Sequence, residues 1–136
     1  MKRIGLLLVV LPLVLLAGCD GDSTTATTVG TPVTIDSGAM TVGADSSEQL
    51  FQSNISEPGQ VEVTVTWSIG PADLTLIMEA AGGAMAANLG GSPLVTRMDV
   101  TQAILDTSSV IGAGVMNKDL VDDAQIQFTI IFTPAG

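Results

Sequence analysis

Val61-Glu62-Val63-Thr64-Val65-Thr66-Trp67-Ser68-Ile69 places an apolar side chain at every odd position and a polar one at every even position. A sustained period of two is that of a half-buried β-strand and does not fit the 3.6-residue period of a helix. Facing Val61, Val63, Val65, Trp67 and Ile69 inward contributes ~1.5 to 3 kcal/mol each before entropy is counted. A one-residue slip exposes all five, so the register is strongly set.

The same alternation recurs outward from this run. Ala72 to Met78 sets Leu74, Leu76 and Met78 on one side, and Ile126 to Phe132 does so with Ile126, Phe128, Ile130 and Phe132. Both read as strands on a shared core. Glu57-Pro58-Gly59-Gln60 has the central Pro and Gly of a type II turn, and Gly70-Pro71 breaks the chain between the first two runs, which are expected to pair antiparallel. Phe51 and Ile55 fit a shorter strand, and Ile35 to Val42 fits another. Ala80 to Gly91 reads as a Gly/Ala-rich loop with at most a short strand.

Leu94 to Leu105 is ambiguous: Leu94, Met98, Val100 and Ile104 fit a strand face, which is favoured, while Ser92-Pro93 is also a helix-start signal. Val110 to Met116 is apolar on both faces apart from its glycines, as expected of a central strand covered on each side. Asn117-Lys118-Asp119 follows as a turn. Short strands at these intervals predict an all-β fold, a small antiparallel β-sandwich of jelly-roll type over residues 34–136.

Upstream of the strands the composition changes twice. Met1-Lys2-Arg3 is a short positive region, and Ile4 to Leu16 is an almost unbroken apolar run, too short for a span that needs ~20 residues. It reads as the core of a secretory signal peptide, residues 1–18. It closes on Leu16-Ala17-Gly18-Cys19, which resembles the lipobox of bacterial lipoproteins. The resemblance implies cleavage before Cys19, a diacylglycerol thioether on its sulfur and acylation of the new N-terminus. It also accounts for a lone cysteine in a secreted chain, where a free thiol is open to oxidation. At ~0.8 kcal/mol per buried CH₂, two or more acyl chains make attachment persistent. From Asp20 the chain reads DGDSTTATTVGTPV, too polar for a core. With Cys19 it forms a tether, residues 19–33, of ~20 Å r.m.s. span. Asp20 directly after the cysteine resembles the inner-membrane retention signal of enteric lipoproteins, a rule that differs between bacteria.

From about Phe51 to Pro134 the chain is similar to the bacterial pre-peptidase C-terminal domain, a jelly-roll-like module appended to secreted proteins. The likeness rests on the Phe51 strand, Pro58-Gly59, VEVTVTW, Ala72-Asp73-Leu74 after Gly-Pro, Gly82-Gly83 and the closing IQFTIIF. Where that family repeats the acid as Asp-Leu-Asp, this chain has Asp73-Leu74-Thr75, and it has no Tyr. The resemblance implies a fold and a non-catalytic accessory character; no site residue carries over.

Charge and side-chain chemistry narrow the function. Without the leader, Arg97 and Lys118 stand against all fourteen acids, a net charge of −12. Such a chain lacks the cationic patch that attracts nucleic acid or anionic headgroups. With no histidine, Ser-His-Asp and Cys-His nucleophilic sites and His-ligated metal sites are excluded. No catalytic, cofactor or metal residue is assigned. Trp67 reads as core rather than as a sugar platform, Asp73 as a ligand for backbone amides, and the Asn54-Ile55-Ser56 sequon as incidental in a bacterial lipoprotein. Asp119, Asp122 and Asp123 lie close together without EF-hand spacing, a weak case for calcium.

The expected protein is therefore a non-enzymatic lipoprotein of the bacterial envelope, held to a membrane by lipid on Cys19, with a protein or envelope partner. The rivals are a calcium-dependent adhesion or ligand-binding module and a carboxylate-dependent hydrolase with two facing acids.

Overall fold

The VEVTVTW run lies at the centre of a sheet. In the computed structural model, which describes residues 29–136, it belongs to β3 (Gly59–Ile69), hydrogen-bonded on both sides. The other strands are β1 (Val33–Val42), β2 (Ser46–Asn54), β4 (Leu74–Ala80), β5 (Met85–Gly90), β6 (Leu94–Val100), β7 (Val110–Asn117) and β8 (Ala124–Pro134), with one helical turn, α1 (Gln102–Leu105). Two antiparallel sheets form, in the orders β1-β8-β3-β6 and β2-β7-β4-β5. Two four-stranded sheets interleaved in this way make the eight-stranded jelly roll, so the expected β-sandwich is the fold found.

The inward faces share one core. Val61, Val63 and Val65 of β3 and Ile126 and Ile130 of β8 meet Leu74, Leu76 and Met78 of β4 and Ile111 and Val115 of β7, all essentially inaccessible. The expected β3–β4 hairpin does not form, because the two strands lie in different sheets. Placed in opposite sheets they cover each other, and residues 70–73 cross the ~10 Å between layers. Gly70 takes φ +141 at this crossing, and a Cβ there would come within 2.8 Å of the Ala124 backbone.

Other expectations change in detail. Alternation in β3 stops at a register shift between Trp67 and Ile69, so Ile69 is 59% exposed and Trp67 only borders the core. Gly59 is not a turn residue but the first residue of β3, where a Cβ would lie 2.4 Å from the Thr133 carbonyl oxygen and 2.7 Å from the Phe132 ring. Close strand approach, not a left-handed turn, requires glycine there. Leu94–Leu105 divides: strand to Val100, then α1, whose N-cap Thr101 accepts the Ile104 N–H through Oγ1 at 3.3 Å. β7 is central, but only Ile111, Ala113, Val115 and Asn117 face the core; its other face is open. The expected tether is already docked from Val29, which bridges to Ala135.

Each strand runs between two poles. Val29, the connections 55–58, 81–84 and 101–109, and the C-terminus share one pole. Connections 43–45, 70–73, 91–93 and 118–123 form the other, ~36 Å away along the eleven residues of β3.

Candidate functional site

The residue on which the sequence reading rests, Cys19, lies outside the described residues, as do Asp20 and Asp22. The described chain begins where the tether meets the domain. The Gly30 N–H donates to the Pro134 carbonyl at 2.8 Å, and the Ala135 N–H donates to the Pro58 carbonyl at 2.9 Å. Gly30, the end of β8 and the β2–β3 connection are thus fastened together at the pole that holds Val29 and the C-terminus.

The opposite pole holds Asp119, Asp122 and Asp123. Asp119 Oδ1 accepts the N–H groups of Val121 and Asp122, each at 2.8 Å. These bonds stabilise its charged form and hold its carboxyl below the ordinary value. Asp123 Oδ1 accepts the Ala44 N–H at 2.8 Å, and the Asp45 N–H donates to the Asp119 carbonyl at 2.7 Å, sewing connection 43–45 to 118–123. Asn117, fully buried, completes the lock: Nδ2 donates to the Val42 and Asp122 carbonyls and Oδ1 accepts the Asp119 N–H. The carboxylates hold the loop together. Among the described residues no group of three or more acidic, Cys or His side chains is arranged to hold a metal ion. The loop lifts Leu120 and Val121 into solvent, 77% and 82% exposed. Asp73, assigned to backbone amides, is simply exposed at this pole; Asp119 and Asp123 take that role instead.

A shallow groove of ≈ 620 Å³ crosses the open face of the second sheet. Its floor is Gly112 and Gly114 on β7, whose missing side chains leave a trough between β2 and β4. Register sets Gln52 and Glu79 on either side of Gly112, and Gln49 and Ile77 on either side of Gly114. Gln49 Nε2 donates to Gln52 Oε1 at 3.1 Å along one wall. Met116 closes one end of the groove and Met85 borders it. Glu48 and Glu79, both exposed, also line the groove, from its β2 and β4 walls. Its walls carry amides, thioethers and two carboxylates. The sequence reading missed it by taking β7 as covered on both sides; the legible signal was Gly112 and Gly114 alternating with Ile111, Ala113 and Val115.

Elsewhere, Arg97 Nε lies 2.6 Å from Glu62 Oε2 on the outer face of the first sheet, a solvent-screened pair worth little stability. The Trp67 indole N–H donates to the Pro71 carbonyl at 2.8 Å, tying the ring to the β3–β4 connection. Asn54 of the sequon accepts from the Ser109 hydroxyl at 3.0 Å. Among the described residues no helix is long and apolar enough to cross a membrane.

No family model matches the sequence, and no curated protein matches it. Among solved structures, a similar chain comes from work described as showing that Bacillus endospore appendages form a novel family of disulfide-linked pili. The two are 14% identical with a TM-score of 0.47 over 85% of this chain and 100% of that chain.

Proposed function

We propose that this chain is a lipoprotein of the bacterial envelope whose β-sandwich acts without catalysis, as a structural or interaction module displayed by a lipid anchor. The carrying observation is Leu16-Ala17-Gly18-Cys19 at the end of a signal-peptide-length apolar run behind Lys2-Arg3. The pole arrangement supports the reading: the described chain begins at Val29 beside the C-terminus, leaving Leu120, Val121 and the carboxylate-bearing loops at the far end. The sequence has no histidine and its single cysteine is the anchor, which supports a non-catalytic role. The similarity to pre-peptidase C-terminal domains belongs to the same proposal, as does placement on the periplasmic side of either membrane or at the cell surface.

Metabolic labelling with an alkyne fatty acid tests the anchor. The wild-type chain incorporates the label and partitions into detergent, and its N-terminal peptide carries a modified Cys19 by mass spectrometry. Cys19→Ala loses label and envelope retention together. An unlabelled wild-type chain that stays with the envelope, its Cys19 unmodified, overturns the proposal.

A further inference from the structure

Four strands lie at sheet edges: β1 and β6 in the first sheet, β2 and β5 in the second. An unpaired edge is a template for another strand, and natural proteins guard it with charge, proline or a bulge. β1 carries Asp36 and a register shift between Thr34 and Asp36. β2 carries Glu48 and a shift between Gln49 and Phe51. β6 carries Arg97 and Asp99. β5, Met85-Ala86-Ala87-Asn88-Leu89-Gly90, has no charge, no proline and an unbroken register. Met85 and Leu89 are 65% and 66% exposed, with exposed Ala87 between them.

The backbone of β5 offers the same three residues. The Ala80 N–H donates to the Ala84 carbonyl at 2.8 Å, which by alternation turns the N–H and C=O groups of Ala86, Asn88 and Gly90 toward β4. Those of Met85, Ala87 and Leu89 point away from the sheet. In keeping with this, the Leu89 N–H donates to its neighbour's side chain, Asn88 Oδ1, at 3.0 Å.

We propose that β5 pairs antiparallel with β5 of a second copy of this chain, about a twofold axis through Ala87, making one continuous sheet of the two copies. A second copy suits this edge because the edge is its own complement. Centring on Ala87 sets Met85 across from the partner's Leu89 and Leu89 across from the partner's Met85. Each exposed apolar side chain of the strand then gains an apolar cross-strand neighbour, with the outward N–H and C=O groups in hydrogen-bonding register and the Leu89 N–H exchanging Asn88 Oδ1 for the carbonyl of the partner's Met85. Val29 and Gly30 dock against Ala135 and Pro134 at the end of β8, in the other sheet from β5. One edge pairing buries less than the ~1,200 Å² of a standard interface, so the dimer is weak when dilute and fills as concentration rises.

The test uses the full chain in density-matched detergent. Sedimentation equilibrium should show the protein mass rising toward twofold with concentration. Ala87→Lys and Leu89→Lys should each hold it at monomer mass with unchanged circular dichroism and melting temperature. The central pair of such a ladder has Cα atoms ~5.5 Å apart, within disulfide range, so Ala87→Cys should give a dimer under mild oxidation that wild type and Gln49→Cys do not. A wild-type chain that stays monomeric, a dimer that survives both lysine variants, or equal crosslinking through Gln49→Cys overturns the proposal. None of these readouts depends on fatty acid at Cys19.

Discussion

Asn117 Nδ2 donates to the carbonyl of Val42, 75 residues earlier, at 3.3 Å, and both residues are fully buried. One side chain thereby joins the end of β7 to the end of β1, across the two sheets. Asn117→Leu keeps the branched shape and heavy-atom count but leaves the Val42 and Asp122 carbonyls and the Asp119 N–H without their partner. A buried polar group left unpaired costs ~1 to 3 kcal/mol, so thermal melts should show a clear drop in midpoint with the strand content retained.

The stability supplied by Asp119 depends on pH. Its folded carboxyl titrates below the ordinary aspartate value because the Asp122 and Val121 N–H groups favour the charged form. A group depressed on folding stabilises above its unfolded pKa, ~3.9 for Asp, and loses that contribution as pH falls through the folded value. Wild type should therefore melt above Asp119→Asn at neutral pH, and the two curves should converge on acidification below about pH 4.

Gly59 and Gly83 should respond differently to alanine. At Gly59 the new methyl meets the Thr133 carbonyl at 2.4 Å, and both strands are held by the core. Overpacking of this kind costs ~1 to 3 kcal/mol or more. At Gly83, with φ +101 and nothing within 4 Å, the cost is backbone strain alone, of order 1 kcal/mol or more. Urea unfolding of both variants should show whether β3's close approach or the turn governs.

Leu76→Ala should cost ~2 to 5 kcal/mol, since Leu76 is fully buried between the sheets. Ile69→Ser, at an apolar position of the same alternating pattern, should stay within about 0.5 kcal/mol, because Ile69 is mostly exposed. Chemical denaturation of both variants separates the two positions.

Calcium should leave the melting midpoint unchanged relative to chelator. Asp119 and Asp123 already accept backbone N–H groups, and the loop is held by Asn117. A site filled at a hundred times its Kd would add ~2.7 kcal/mol, which is readily seen by scanning calorimetry.

The strands were legible wherever one face met the core, because burial imposes the period of two: Val61–Val65, Leu74–Met78 and Ile126–Phe132 lie as their patterns predict. Pairing was not legible. Alternation says which face of a strand is apolar but not whether its neighbour in sequence sits beside it or across from it, and β3 and β4 took the second option. Local chemistry misled where tertiary approach intervened: Pro58-Gly59 looks like a turn, but Gly59 is fixed by Thr133 and Phe132 of β8, distant in sequence. The groove was half legible, since the glycines of β7 were visible while the openness of their face depends on which layer lies beyond it. Cys19 is legible only as a motif, from residues that precede the described domain.

The direction of β1 has a mechanical meaning. It starts beside the point where the chain enters and runs to the far pole, paired with β8 from Val33↔Phe132 to Val42↔Ala124. A pull between Val29 and a load seized at Leu120 or Val121 acts along the length of these two strands. The ladder is then strained in shear, with its rungs sharing the force, instead of being peeled open one rung after another.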